Sequence, residues 1–252
     1  MSAGTRLEGK RALVTGGSRG IGRAIAVAFA AEGADVAIGY RRDAEAAQET
    51  CKAIEARGRK AFARAADVRD GAAVRALVDE SRAALGGLDI VVANAGVPTR
   101  FEPLEKVEPS YWQRVIDIDL HGVFHTLHAA LPVLQEQQEG GVILTISSVA
   151  ADLCAPFGGP YVAAKAAVNA LTRVVAKENA AKGIRCNVIA PGLIATDIAD
   201  GMVAYHGDAI VKAIPLRRMG SVDEVAQLAV YLASDDAAWI TGQIYRIDGG
   251  QF

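Results

Sequence analysis

Only three cysteines occur in the 252 residues, Cys51, Cys154 and Cys186. They are odd in number and widely spaced, which excludes a disulfide framework and a cysteine metal motif and fits a reducing cytoplasm. An excess of charge is also lacking: 27 basic and 29 acidic residues leave a formal net charge of -2. Without a basic excess or a long basic run, nucleic-acid binding is not expected. No apolar run reaches the ~18 residues that a membrane span needs. The opening stretch, MSAGTRLEGKRALVTGG, has no apolar segment ahead of a small-residue cleavage site, so it does not read as a signal peptide. Linkers, repeats and low-complexity segments are missing as well, so residues 1–252 are expected to form one domain.

What is present is apolar and periodic. Hydrophobic residues make up 51% of the chain, enough for one large core. Short β-branched runs alternate with longer amphipathic stretches. Strands are expected at Arg11–Thr15, Asp35–Gly39, Ala61–Ala65, Leu88–Ala93, Val142–Ser147, Ile184–Ala190 and Gln243–Ile247. Helices are expected over 20–32, 43–57, 70–85, 109–137, 159–182 and 221–234. This alternation predicts an α/β fold of Rossmann type, a doubly wound seven-stranded parallel sheet with helices on both faces. Residues 191–220 are the least regular, with two prolines and four glycines. They follow a strand, where open α/β sheets place their ligand crevice, and residues 193–220 are read as a substrate lid.

The first strand runs into Thr15-Gly16-Gly17-Ser18-Arg19-Gly20-Ile21-Gly22. Gly16 suits a tight turn, Gly20 lets a phosphate approach the backbone, and Gly22 lets helix and strand pack closely. The helix start offers free amides and a partial positive charge to a pyrophosphate. The spacing Gly-x3-Gly-x-Gly differs from the common dinucleotide fingerprint, and such a turn can also be an ordinary strand-to-helix corner. Sites that prefer NAD(H) place an acid at the end of the second strand. Here that strand ends in Gly39-Tyr40-Arg41-Arg42, and Asp43 reads as the N-cap of the next helix. Arg19 and Arg41 together suit a 2′-phosphate, which favours NADP(H) over NAD(H). The alternative is solvated surface charge, the preferred reading for Arg42.

Tyr161 and Lys165 stand four residues apart, and Ser148 lies thirteen residues before the tyrosine. A phenol ordinarily titrates near pH ~10, too high for efficient proton transfer at neutral pH, and a neighbouring ammonium favours its ionised form. Positions i and i+4 share one helix face, so Lys165 can stand beside Tyr161. The Ser148 hydroxyl can hydrogen-bond a substrate oxygen as charge develops on it.

With these residues in hand, the chain resembles the short-chain dehydrogenase/reductase family over nearly its whole length. Within the family it is similar to 3-oxoacyl-[acyl-carrier-protein] reductases and related carbonyl reductases. The shared marks are Thr15-Gly16-x3-Gly20-x-Gly22, Asp67-Val68, Asn94-Ala95-Gly96, Ser148, Tyr161-x3-Lys165, and Pro191-Gly192 followed by Thr196. The resemblance implies that Asp67 and Val68 contact the adenine. It implies that Asn94, Ala95 and Gly96 lie beside the cofactor. It places the nicotinamide amide on the backbone after Pro191-Gly192, around Ile194, with Thr196 nearby. It also implies the sheet order 3-2-1-4-5-6-7. The assembly implied is a homotetramer (or a dimer) packed through helices 109–137 and 159–182. The activity implied is hydride transfer between a nicotinamide and a small-molecule ketone or alcohol. One alternative is 3-oxoacyl reduction on a carrier protein; another is a cofactor-binding regulatory protein that has lost catalysis.

One position departs from the pattern. The family has asparagine in the helix before the fifth strand, where this chain has Asp119 in Ile118-Asp119-Leu120-His121-Gly122. In the family that asparagine kinks the helix, so that a backbone carbonyl holds a water of a proton relay leading to the lysine. Asp119 keeps the acceptor and the size but loses the amide donor, so its side-chain partner must change or the acid must be protonated. His121, His125 and His128 have helical spacing that could hold a metal, but packing is the preferred reading and no metal is expected. Nothing near Cys154 in sequence supplies a base for a thiol nucleophile. The tail Val133–Gly140 is acidic, which argues against docking an acidic carrier, with Lys182 the one matching base.

Overall fold

The computed structural model describes residues 5–98, 100–154, 156–196, 199 and 209–252. Seven strands, β1 (Arg11–Thr15), β2 (Asp35–Tyr40), β3 (Ala61–Ala65), β4 (Ile90–Ala93), β5 (Gly141–Ile146), β6 (Ile184–Pro191) and β7 (Ile244–Ile247), form one sheet. Every pairing is parallel and the order is β3-β2-β1-β4-β5-β6-β7. Both the expected fold class and the implied strand order are observed. Winding reverses between β1 and β4, so a crevice opens at the carboxyl ends of those two strands.

Alternation along each strand feeds two cores. Ala12, Val14, Val36, Ile38, Ile90 and Val92 point to one face. There α1 (Gly20–Ala31), α2 (Ala44–Glu55) and α9 (Val222–Ala233) add Phe29, Ile54 and Val230. Leu13, Ala37, Val91 and Ile143 point to the other. That face is covered by α3 (Gly71–Leu85), α5 (Gly122–Gln137) and α7 (Gly159–Asn179). Strands buried on both faces have to be apolar throughout, which is why they read as short hydrophobic runs. Each fully buried Leu, Ile or Phe contributes about 1.5–3 kcal/mol.

Caps set the helix starts. Asp43 accepts from Ala46 N–H, Asp70 accepts from Ala72 and Ala73 N–H, and Ser221 forms a capping box with Glu224. The expected helix 109–137 is not continuous. It divides into α4 (Pro109–Ile116), one π-turn (Asp117–His121) and α5. The wide turn carries Asp119, which is fully buried and faces Lys165 and the Val97 amide. The backbone there bonds five residues back, Gly122 N–H to Asp117 O, in place of regular α-helical bonding. The helix from 159 ends at Asn179 and closes with a 3-10 turn, Ala180–Lys182. A short α6 (Ala150–Leu153) follows Ser148, and α8 (Ala209–Lys212) lies in the region read as a lid. Residues 197, 198 and 200–208 of that region lie outside the described residues. Its two ends are joined by Ala195 N–H to Gly220 O at 2.8 Å and Gly220 N–H to Leu193 O at 3.0 Å. No helix among the described residues is long and apolar enough to cross a membrane.

Candidate active site

The glycine turn sits at the switch point. Thr15, the last residue of β1, takes hydrogen bonds from the Asn94 and Ala95 amides on its Oγ1, at 3.0 and 3.2 Å. Asn94 Nδ2 donates back to the carbonyls of Thr15 (2.9 Å) and Gly16 (3.2 Å). Asn94 thus ties the end of β4 to the turn after β1. Gly22 lies beneath this tie: a Cβ there would fall 2.3 Å from Gly16 O and 2.4 Å from Asn94 Nδ2. Above Gly20 the space is open, with Thr196 Cγ2 the nearest atom at 3.7 Å from a built Cβ. At the start of α1, Arg19 makes no side-chain cap and the first turn holds no acid. The first-turn amides and the positive end of the helix dipole therefore face this opening, a cradle of the kind that holds a pyrophosphate.

The adenosine end is formed by β2 and β3. Ala66 N–H donates to Tyr40 O at 2.7 Å, so Asp67 lies beside Arg41. Val68 is buried against Gly122 at the start of α5, and its carbonyl accepts from His125 Nδ1 at 2.8 Å. Arg41 is exposed. The sequence reading missed Arg69, which grips Asp67 through both carboxylate oxygens, the shortest contact being 2.6 Å. Its signal was an Asp with an Arg two residues on.

On the other side of the crevice, β5 ends at Ile146 and Ser147 anchors α7, its Oγ donating to Lys165 O at 3.1 Å. Ser148 is half-buried, and its Oγ accepts from Ala150 N–H at 3.2 Å. Val149 N–H donates to Pro191 O at 3.0 Å, and Gly192 N–H to Ile247 O at 2.9 Å, which places the Ser148 and Pro191-Gly192 turns side by side. Ile194 pairs with Gly220 at the foot of the lid region.

Tyr161 lies in the first turn of α7, and Lys165 one turn later. The Lys165 ammonium is 5.5 Å from the Tyr161 ring centroid. It donates to Ile146 O at 3.1 Å and meets Asp119 Oδ1 at 3.1 Å. Asp119 also accepts from Val97 N–H, at 3.3 Å on Oδ2. Lys165 is 3% exposed and Asp119 0%, so this ion pair is shielded from water. Burial pushes the Asp119 carboxyl above the ordinary carboxylate range, against the pull of Lys165. Burial also opposes charge on Lys165, but Asp119 and Tyr161 outweigh it and hold the ammonium above its ordinary value. The new partner that a carboxylate at 119 required is thus the lysine itself.

Gly96 leaves room for this pair. A Cβ there would fall 2.7 Å from Asp119 Oδ1 and 3.6 Å from Lys165 Nζ. Gly96→Ala is expected to push the carboxylate off the lysine and destabilise the protein by about 1–3 kcal/mol. A thermal melt and turnover equal to wild type would contradict this.

The other candidates separate. His121 Nδ1 pairs with Asp117 at 3.0 Å, His125 bonds Val68 O, and the His128 ring lies 5.5 Å from that of Phe124. The three histidines do not converge, and no metal-holding group of His, Cys, Asp or Glu occurs among the described residues. Burial lifts the Cys186 thiol to about 12. The acidic tail of α5 is less free than its sequence suggests. Glu136 pairs with Arg82 at 2.8 Å and Glu139 with Arg11 at 3.1 Å. Arg11 opens β1, so these pairs lie at the amino ends of the strands, away from the crevice, and say little about what docks there.

A glycine cradle at the switch point, facing a helix that carries tyrosine and lysine, defines a class: Rossmann-type oxidoreductases. The sequence matches a family profile described as enoyl-(acyl carrier protein) reductase over residues 16–251. It is 40% identical to the 3-oxoacyl-[acyl-carrier-protein] reductase of Staphylococcus aureus, over 96% of this chain and 98% of that protein. It is 41% identical to 3beta-hydroxysteroid dehydrogenase 1 of Eggerthella lenta, over 97% and 94% of the two chains. A short-chain dehydrogenase from Burkholderia cenocepacia, solved in complex with NADP, superposes with a TM-score of 0.91 at 40% identity, covering 98% of this chain and 99% of its own. The chain belongs to the short-chain dehydrogenase/reductase family.

Proposed function

We propose that this chain is an NADP(H)-dependent carbonyl reductase or secondary-alcohol dehydrogenase acting on a small-molecule ketone or alcohol. The observation that carries the reading is the Lys165 ammonium, fixed 5.5 Å from the Tyr161 ring centroid on the helix across from the glycine cradle. Gly16, Ser18, Gly20, Ile21 and Gly22 would hold the pyrophosphate, and Arg19 with Arg41 the 2′-phosphate. Tyr40, Arg41, Asp67 and Val68 would hold the adenosine, and Asn94, Ala95, Gly96, Pro191, Gly192, Ile194 and Thr196 the nicotinamide half. Bound nicotinamide supplies the hydride. Tyr161 gives its hydroxyl proton to the carbonyl oxygen, so that ketone, hydride and proton make the alcohol. Lys165 orients the ribose, and its positive charge favours departure of that proton. The Ser148 hydroxyl stabilises the oxyanion as it forms. Asp119 positions Lys165.

NADPH oxidation with a panel of ketones tests this reading, and a protein that binds NADPH but reduces none of them would be a binding module instead. A second reading, reduction of a carrier-bound 3-oxoacyl group, is supported by the Staphylococcus aureus relative. It predicts that a 3-oxoacyl thioester turns over far faster on its carrier protein than free.

The cofactor preference rests on Arg19 and Arg41, on the absence of an acid at Tyr40, and on the NADP complex of the Burkholderia relative. NADPH is expected to bind more than tenfold tighter than NADH, because two charge-assisted contacts contribute ~1.5 kcal/mol or more each. Arg41→Ala should weaken NADPH and leave NADH almost unchanged; equal Michaelis constants for the two cofactors in the wild type would sink the idea. A cytoplasmic homotetramer, or a dimer, packed through α5 and α7 is the assembly proposed. Exposed Phe124 and Val174 on those helices support it, and sedimentation tests it.

A further inference from the structure

The strongest feature outside the catalytic set is the charge arrangement at the end of β3. Asp67 lies beside Arg41 by the β2–β3 register, in which Tyr40 pairs with Ala65 and Ala66 N–H bonds Tyr40 O. A carboxylate here has two unfavourable consequences for a cofactor carrying a 2′-phosphate. It repels the dianion, and it offers Arg41 an ion-pair partner that would draw the guanidinium away from the phosphate. In this structure Arg41 makes no ion pair with Asp67. Asp67 is taken by Arg69: Oδ1 accepts from Arg69 N–H at 3.1 Å and from Nε at 3.0 Å, and Oδ2 accepts from Nη2 at 2.6 Å. The grip is built in locally. Asp70 N–H bonds Asp67 O at 2.9 Å, so residues 67–70 form a turn, and Asp70 then caps α3. The turn sets Arg69 over Asp67. Among the described residues, the other acid that acts on Arg69 is Asp117, whose Oδ1 is occupied by His121 and by Gln113 at 2.8 Å. Arg41 is exposed and makes no hydrogen bond or ion pair among the described residues. It lies near enough to Asp67 to help keep that carboxyl ionised, after the larger effect of Arg69.

We propose that Arg69 is a cofactor-specificity residue acting through Asp67: it masks the carboxylate and so leaves Arg41 available to the 2′-phosphate of NADPH. The inference rests on the NADP(H) reading above. Arg69 is a positioning residue, since its Nε and Nη2 donate to Asp67. Adenine contact at Asp67 stays open, because two carboxylate oxygens offer about four acceptor directions.

The test is a cycle of four proteins: wild type, Arg69→Ala, Asp67→Asn and the double variant. Dissociation constants of NADPH and NADH are measured by nicotinamide fluorescence, without substrate. In low salt, Arg69→Ala is expected to weaken NADPH about fivefold and NADH less than twofold, since one uncovered charge near a dianion has that order of effect. Salt at ~0.5 M should shrink the difference. In the Asp67→Asn background, adding Arg69→Ala should leave the ratio of the two constants within about twofold, because no carboxylate remains to be masked. An Arg69→Ala variant that weakens both cofactors equally, or a double variant that keeps the fivefold loss, overturns the inference. A wild type that binds NADH as tightly as NADPH overturns the cofactor reading itself and is seen before any variant is made.

Discussion

Tyr161→Phe is expected to lower turnover at least ~10²-fold, the lower range for a lost general acid, while NADPH affinity stays close to wild type. The substitution keeps the ring, its place in the first turn of α7 and its 5.5 Å distance from the Lys165 ammonium. It removes only the hydroxyl. The loss should therefore appear in kcat, with cofactor binding spared, and steady-state kinetics beside a fluorescence titration separate the two. Near-normal turnover would mean that another group delivers the proton. Ser148 is the other hydroxyl of the site, but an unassisted serine hydroxyl is a poor acid.

Lys165→Met is expected to have the second large effect, and on stability as well as turnover. It leaves Asp119 fully buried with the Val97 amide as its remaining partner. Removing one member of a buried ion pair typically costs about 3–5 kcal/mol, because the other charge stays buried. The deficit should depend on pH with a defined sign. The Asp119 carboxyl is already raised by burial, and loss of the ammonium raises it further. The folded state then holds a proton that the unfolded chain, titrating near ~4, has released. Stability is kept below that unfolded value and lost as pH rises through the folded one. Urea midpoints measured at pH ~4 and at pH ~8 should diverge, with the variant worse at the higher pH. Adding Asp119→Asn should recover most of the stability and none of the turnover. Asp119→Asn alone should leave an active enzyme with a modestly shifted pH–rate profile, since shape and acceptor are kept while a charge beside Lys165 is neutralised. A Lys165→Met protein as stable as wild type at every pH would mean that no buried ion pair exists.

Most of the architecture was legible from local pattern. Strands covered on both faces must be apolar throughout, and capping residues must stand at helix starts. Hence Arg11–Thr15 and Ala61–Ala65 were read to the residue, and the helix starts at Asp43, Asp70 and Ser221 to within one. Glycine spacing located the cradle, and the i, i+4 rule placed Lys165 beside Tyr161. Three things were decided only in three dimensions. The family resemblance implied a kink at position 119, but only the fold shows its form, a π-turn over 117–121, and its side-chain partners, the Val97 amide and Lys165. The acidic tail of α5 is balanced by Arg82 and Arg11, from elements far apart in the chain. Asp67 is masked by Arg69, in a geometry set by the turn that ends β3. Composition and periodicity report which groups are apolar and where a backbone must bend, since these depend on neighbours in sequence. The partner of a buried charge depends on which elements lie side by side, and the fold links residues 97, 119, 165 and 146 in one chain of polar contacts.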